Sequence, residues 1–233
     1  MCRIKFKNLI TNNIIWEDYY NEKILLSDCI HVFKISIDTY EKIEKSCREI
    51  LQDDELQKAE KYRQFDDKRR FIIGKFFSKT LLSKKISLKA SDIIFSFTEN
   101  NKPFFKDYQF NVSHSGRLVT IVLSPIAIGV DIELIKENFD FESLLPECFN
   151  KTEIEKINSA TNFYTFWTRK EALLKATGEG LVDNLNSIDC SIELVERFGS
   201  IYKLRSYRID DNYLLSLATK NSNYEYKYWN LIF

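Results

Sequence analysis

The chain has 233 residues, with 34 Lys and Arg against 34 Asp and Glu, and only 6 Gly and 3 Pro. That length suits one large domain or two small ones, each with its own core. A net charge of zero gives no global field to draw the protein onto nucleic acid or a membrane surface, and 14% aromatic residues with so little Gly and Pro exclude a fibrous or low-complexity chain.

The N-terminal residues Arg3, Lys5 and Lys7 precede an apolar stretch that Asn12, Asn13 and Glu17 break before an export signal or membrane span could form. Five scattered cysteines (Cys2, Cys29, Cys47, Cys148, Cys190) form no CxxC pair, and both histidines, His31 and His114, lie outside any ligand cluster. A cytoplasmic protein with reduced thiols and no structural zinc is expected. Alternation predicts a strand over Ile30 to Asp38. Asp38 or Thr39 then caps a helix through Leu51, and another helix starts near Asp53. Apolar residues at helical spacing predict a long helix over Asp66 to Lys84, greasy on one side and basic on the other. Strands follow at Ile93 to Phe97, Phe110 to Ser113, Leu118 to Leu123 and Ile128 to Leu134. Phe141 to Cys148 and Thr152 to Ile157 read as helical, the latter with a capping box at Thr152 and Glu155. Asn162 to Thr177 is a strong helix closed by Gly178. Ile188 to Leu194, Ile201 to Tyr207, Tyr213 to Ala218 and Tyr224 to Trp229 read as antiparallel strands. The expectation is an α+β fold of two similar, pseudo-symmetric subdomains, 1–125 and 126–233, each a small, mainly antiparallel sheet packed with a long helix.

Three constellations carry chemistry. In Ile128-Gly129-Val130-Asp131-Ile132-Glu133-Leu134, two carboxylates at a spacing of two leave one face of a strand. Such a pair is costly unless a proton or a cation neutralises it, and a hard divalent ion, Mg²⁺ or Mn²⁺, is one solution; a solvated sheet edge is the other. Glu171 and Lys175 share a face of the strong helix. Alone they are an ordinary i, i+4 ion pair, but Trp167, Ala172 and Leu174 mark the helix as packed, and Gly178-x-Gly180 permits close backbone approach. The run Asn111-Val112-Ser113-His114-Ser115-Gly116 ends a strand in small hydrogen-bonding residues that suit an anion, and Lys102 sits in the upstream turn Asn101-Lys102-Pro103.

Asn-Lys-Pro, Phe-Asn-Val-Ser-His-Ser-Gly, Ile-Gly-Val-Asp-Ile-Glu and Phe-Trp-Thr-Arg-Lys-Glu-Ala-x-x-Lys-x-x-Gly-x-Gly, in this order, resemble a 4′-phosphopantetheinyl transferase of the long, Sfp type, over residues from about 55 to 185. The resemblance implies transfer of the phosphopantetheine arm of coenzyme A to a serine of an apo acyl or peptidyl carrier protein, with release of adenosine 3′,5′-bisphosphate. It implies Asp131, Glu133 and Glu171 as ligands of Mg²⁺ or Mn²⁺, and Lys175 beside the scissile phosphate. Lys102, Ser113 and His114 match positions that hold the phosphates, Lys58 and Arg70 further contacts at the nucleotide end, and Glu153 a proposed general base. A metal-bound water, or a ligand carboxylate acting through one, is an equal candidate for that base. A monomer with coenzyme A in the cleft between its halves is expected, without nucleic acid or membrane partners.

Glu55 and Phe71 depart from the pattern, standing where some members have a basic and a hydroxyl residue, and Asn101 stands where Gly is usual, a place Asn tolerates because it visits the left-handed region. The basic side of the helix from Asp66 reads either as a solvated face or as a dock for an acidic carrier. A metal-dependent nuclease or other phosphotransferase, and a binding module without catalysis, are the competing readings.

Overall fold

The computed structural model describes residues 9–11, 14–20, 28–106, 108–180, 184–210, 212–220 and 223–233. In chain order these form β1 (Ile10–Thr11), β2 (Glu17–Tyr20), β3 (Cys29–Ser36), α1 (Tyr40–Ile43), α2 (Cys47–Ile50), α3 (Asp53–Glu60), α4 (Phe65–Ile86), β4 (Ser96–Phe97), β5 (Pro103–Phe104), β6 (Gln109–Ser115), β7 (Leu118–Ser124) and β8 (Ile128–Leu134). There follow α5 (Leu145–Cys148), α6 (Lys151–Ile154), α7 (Ala160–Thr177), β9 (Leu194–Arg197), β10 (Ser200–Ile209), β11 (Tyr213–Lys220) and β12 (Glu225–Ile232).

The architecture is α+β. One sheet runs β2-β12-β3-β7-β6 and carries α4; the other runs β1-β10-β11-β8, with β9 beside β10, and carries α7. β7, Leu-Val-Thr-Ile-Val-Leu-Ser, is buried at every position because it is flanked by β3 and β6 and covered on both faces. Ile121 and Leu123 join Phe33, Ile35 and the α4 residues Ile73, Phe76 and Phe77 in one core. Val122 on the opposite face meets Ile30 and Val32, and Ile128, Val130 and Ile132 of the second sheet, in another. The order of layers is therefore helix, sheet, sheet, helix.

Sheet membership crosses the division at 125/126. β12 lies in the first sheet, parallel to both β2 and β3, and β1 lies in the second, parallel to β10. The last strand thus differs from the antiparallel expectation: alternation identifies a strand, but its partner and direction are set by distant packing. The helix expected through Leu51 is broken into a 3₁₀ turn (Ile37–Thr39), α1 and α2, with Ser36 accepting at its start from the Asp38 amide at 3.2 Å. The capping box near Thr152 is displaced by two residues: Asn150 accepts from the Glu153 amide at 2.9 Å, and the Glu153 carboxylate returns to the Asn150 amide at 3.1 Å. Both Asn and Thr can cap; Asn150 wins because its box partner, Glu153, has a buried lysine to meet. β9 begins where the strand expected over Ile188 to Leu194 ends, because Leu185–Ser187 turns as 3₁₀ and residues 188–193 run beneath α7. No helix among the described residues is long and apolar enough to cross a membrane.

The basic side of α4 is not free. Lys68 pairs with Glu60 at 2.8 Å, Arg69 with Glu41 at 3.1 Å, and Arg70 with Asp67 one turn earlier. Lys75 and Lys79 turn inward onto Glu55, at 3.2 and 2.6 Å, and Lys79 is fully buried. Glu55, the departure noted in the sequence, is the carboxylate that these two lysines share, one negative charge between two ammonium groups.

Candidate functional site

Strand alternation sorts β8 into two faces. Ile128, Val130 and Ile132 enter the core between the sheets; Gly129, Asp131 and Glu133 face α7. Gly129 makes the contact possible, since a Cβ there would lie 2.0 Å from the Ala172 carbonyl oxygen and 2.4 Å from the Ala176 amide. The glycine lets the strand press against the helix turn that carries Glu171 and Lys175. Ser159 caps the start of α7, accepting from the Asn162 amide at 3.2 Å, and Gly178 ends it in the left-handed conformation at φ 77°.

The edges of the two sheets meet at β6 and β8 without a backbone ladder. Side chains of β6 take the place of carbonyls: Asn111 Oδ1 accepts from the Val130 amide (2.9 Å), Ser113 Oγ from Ile132 (3.3 Å) and Ser115 Oγ from Leu134 (3.1 Å). Residues at i, i+2 and i+4 of one strand thus satisfy alternate amides of the other. The two hydroxyls then donate onward, Ser113 to Asp131 Oδ1 at 2.8 Å and Ser115 to Glu133 Oε2 at 2.7 Å. Lys175 Nζ reaches Asp131 Oδ1 at 2.6 Å and Ser113 Oγ at 3.2 Å.

Charge at this junction is incompletely balanced. Asp131 Oδ2 is buried and has no hydrogen-bond partner among the described residues. Burial, and then the Asp131 charge, push the Glu133 carboxyl up to about 7, and the same two causes raise Glu171. Asp131, Glu133 and Glu171 form a hard oxygen donor set whose members repel one another, which is the chemistry a Mg²⁺ or Mn²⁺ ion answers. As they stand, no three His, Cys, Asp or Glu side chains among the described residues are gathered tightly enough to hold a metal ion. The Lys175 ammonium occupies Oδ1 of Asp131 instead, which leaves the orphaned Oδ2 as the oxygen of that carboxylate with capacity for a cation.

A cavity of about 400 Å³ opens beside this junction, lined by Asp67, Arg70, His114, Ser115, Gly116, Leu134 and Lys136. Arg70 is held in it by Asp67 and by the Gly116 carbonyl at 2.5 Å. Desolvation at the cavity wall, with the Arg70 cation next, holds His114 below the usual histidine range, although the residue keeps an exposed face. Lys102 lies within 3.5 Å of the Ile128 and Ala176 carbonyls, meets no carboxylate among the described residues, and is lowered by burial to about 8. Asn101 before it takes the left-handed conformation at φ 59°. A larger groove of about 980 Å³ runs between α7 and β10 and shares none of the residues of this junction.

The structure therefore brings together Asp131, Glu133, Glu171, Lys175 and Ser113, with Arg70 and His114 in the adjoining cavity and Lys102 at the end of α7. Lys58 stands apart on α3, its ammonium 5.5 Å from the Phe71 ring. Glu153 is not brought to the junction: it is fully enclosed and paired with Lys170 at 2.8 Å. Asn111 and Ser115, read in the sequence only as members of an anion-suited run, join the site through their bonds to β8, and Asp67 and Lys136, given no role there, line the cavity. The alternation of Asn111, Ser113 and Ser115 with apolar residues was the available signal for the first two. Nothing local marks Asp67 or Lys136.

Comparison with known proteins gives two adjoining family matches: "4′-phosphopantetheinyl transferase, N-terminal" over residues 39–126 and "4′-phosphopantetheinyl transferase superfamily" over residues 127–226. The chain is 31% identical to 4′-phosphopantetheinyl transferase Sfp of Bacillus subtilis over 188 residues, 72% of this chain and 83% of the relative. It is 28% identical to 4′-phosphopantetheinyl transferase HetI of Nostoc sp. over 223 residues, covering 88% and 94%. It is also 29% identical to the L-aminoadipate-semialdehyde dehydrogenase-phosphopantetheinyl transferase of Schizosaccharomyces pombe, covering 66% and 70%.

Proposed function

The chain belongs to the 4′-phosphopantetheinyl transferase superfamily, and from that premise we propose that it moves the phosphopantetheine arm of coenzyme A to a serine of an apo acyl or peptidyl carrier protein, releasing adenosine 3′,5′-bisphosphate with the help of Mg²⁺ or Mn²⁺. The observation that carries this reading is the convergence of Asp131 and Glu133 from β8 with Glu171 and Lys175 from α7, beside a cavity bearing Arg70, His114 and Lys136. The substrate is a pyrophosphate diester, and its cleavage builds charge on the departing phosphate. Bound between Asp131, Glu133 and Glu171, a divalent ion would neutralise that charge.

This chain's own cations serve the rest of the substrate. Lys175, anchored on Asp131 and Ser113, presents an ammonium to the leaving phosphate and can neutralise or protonate it. Lys102, desolvated and without an acidic partner among the described residues, has charge to offer an anion. Arg70, its guanidinium oriented by Asp67 and Gly116, and His114 offer donors to phosphate oxygens. Lys58, beside the Phe71 ring on α3, is assigned in this reading to the nucleotide end. In this reading the halves on either side of residue 125, each contributing a long helix and most of one sheet, are related by pseudo-symmetry with β12 and β1 exchanged between the sheets, and the substrate lies in the cleft between them in a monomer.

Incubation with coenzyme A, Mg²⁺ and a panel of apo carrier proteins, read by mass spectrometry, should show the added arm on at least one carrier and its loss on chelation. No added mass on any carrier would sink the proposal.

A further inference from the structure

Glu153 and Lys170 form a closed unit on the far side of α7. The ammonium donates to Glu153 Oε2 at 2.8 Å, to the Leu185 carbonyl at 3.0 Å and to the Ile188 carbonyl, so each of its protons has an acceptor. The carboxylate accepts in addition from the Asn150 amide at 3.1 Å and the Cys190 amide at 2.7 Å. Both side chains are 0% exposed. One pair thus joins the start of α6, the middle of α7 and the segment 185–190. Arg169 reinforces the join from the preceding position, donating to the Cys190 carbonyl at 2.7 Å and the Ile192 carbonyl at 2.5 Å.

Two features separate this unit from the reacting groups. Glu153 has no solvent path by which a carrier serine could hand it a proton, and its oxygens already serve two amides and an ammonium. Lys170 immediately precedes Glu171, about 100° around the helix, so anchoring Lys170 fixes the rotation and height of the turn that presents Glu171. We infer that Glu153 is a positioning residue, which acts through Lys170 to hold Glu171 and Lys175 against β8, and is not the base that activates the serine. The inference rests on the reading of Asp131, Glu133 and Glu171 as the metal-holding face.

The test is Glu153→Gln with and without Lys170→Met, assayed where circular dichroism shows the variant folded. Manganese affinity is measured on the same samples without substrate. Glu153→Gln strands the ammonium; it should lower kcat about tenfold or more, leave KM for coenzyme A near the wild-type value, weaken Mn²⁺ binding, and keep the shape of the pH profile. Adding Lys170→Met removes the stranded charge and should recover most of both losses, which no variant lacking an essential base can do. Loss of one limb of the pH profile with wild-type Mn²⁺ affinity and no recovery in the double variant would overturn the inference. So would an unchanged kcat in folded Glu153→Gln. Should Glu153→Gln fail to fold, the double variant decides: folded and active supports the inference, folded and inactive with normal Mn²⁺ binding refutes it. A wild-type protein inactive on every carrier strikes the transferase reading, while Mn²⁺ affinity still tests the positioning role.

Discussion

Helix α7 carries two lysine–carboxylate pairs with opposite characters. Lys170 and Glu153 are both 0% exposed and fully satisfied, whereas Lys175 is 29% exposed and bonds an Asp131 whose second oxygen has no partner among the described residues. The pairs are almost equally short, at 2.8 and 2.6 Å, so distance does not distinguish them. Completeness does. The closed pair has nothing left to offer a ligand, while the open one leaves an oxygen, a partly exposed ammonium and two glutamates of raised pKa facing one another.

The contrast can be broken from either side. The largest effect expected is on catalysis: Glu171→Gln should lower transfer at least a thousandfold, on the order of 4 kcal/mol of transition-state stabilisation. Because it removes a carboxylate that burial disfavours, urea unfolding should show stability equal to or above wild type. Lys170→Met should do the reverse to the fold, stranding the Glu153 charge at a cost of about 3–5 kcal/mol in the same measurement. Gly129→Ala should cost about 1–3 kcal/mol or more, because its methyl would overlap the α7 backbone, and should reduce transfer as well.

A subtler difference appears with pH. The folded protein holds a proton on Glu133 up to about pH 7, whereas the unfolded chain releases it near 4.5. Metal-free protein should therefore lose stability as pH rises through that window. Thermal unfolding at intervals from pH 4.5 to 8 should show the loss, its reversal by Mg²⁺ above pH 7, and its attenuation in Glu133→Gln. The smallest effect is expected outside both pairs: Lys68→Ala breaks an exposed pair with Glu60 and should change stability by less than about 1 kcal/mol. The same variant should leave carrier affinity and its salt dependence unchanged, since these α4 cations are already engaged by neighbouring carboxylates.

What the sequence made legible is what short-range rules govern. Asp131 and Glu133 share a face because a strand alternates, and Glu171 and Lys175 share one because a helix turns every 3.6 residues. The left-handed Asn101 and the glycine end of α7 follow from local backbone sterics. The rest depended on partners far along the chain. Glu153 has the look of an available acid, since glutamate is seldom buried; only the fold brings Lys170, 17 positions on, into the same enclosed space. The lysines of α4 read as an open basic face until Glu55 is seen beneath them. Asn111, Ser113 and Ser115 read as an anion loop, and Ser113 does contact a lysine, but their first duty is to the amides of β8.

The exchange of strands between the two sheets bears on how such a molecule is made. The first sheet interposes β12, drawn from residues 225–232, between β2 and β3. While the nascent chain is still emerging, β3 has no neighbour on that side, and the helix carrying Glu171 has yet to dock. The amino-terminal portion must therefore wait, partly open, for nearly the whole chain, and neither portion is expected to survive expression as a separate fragment.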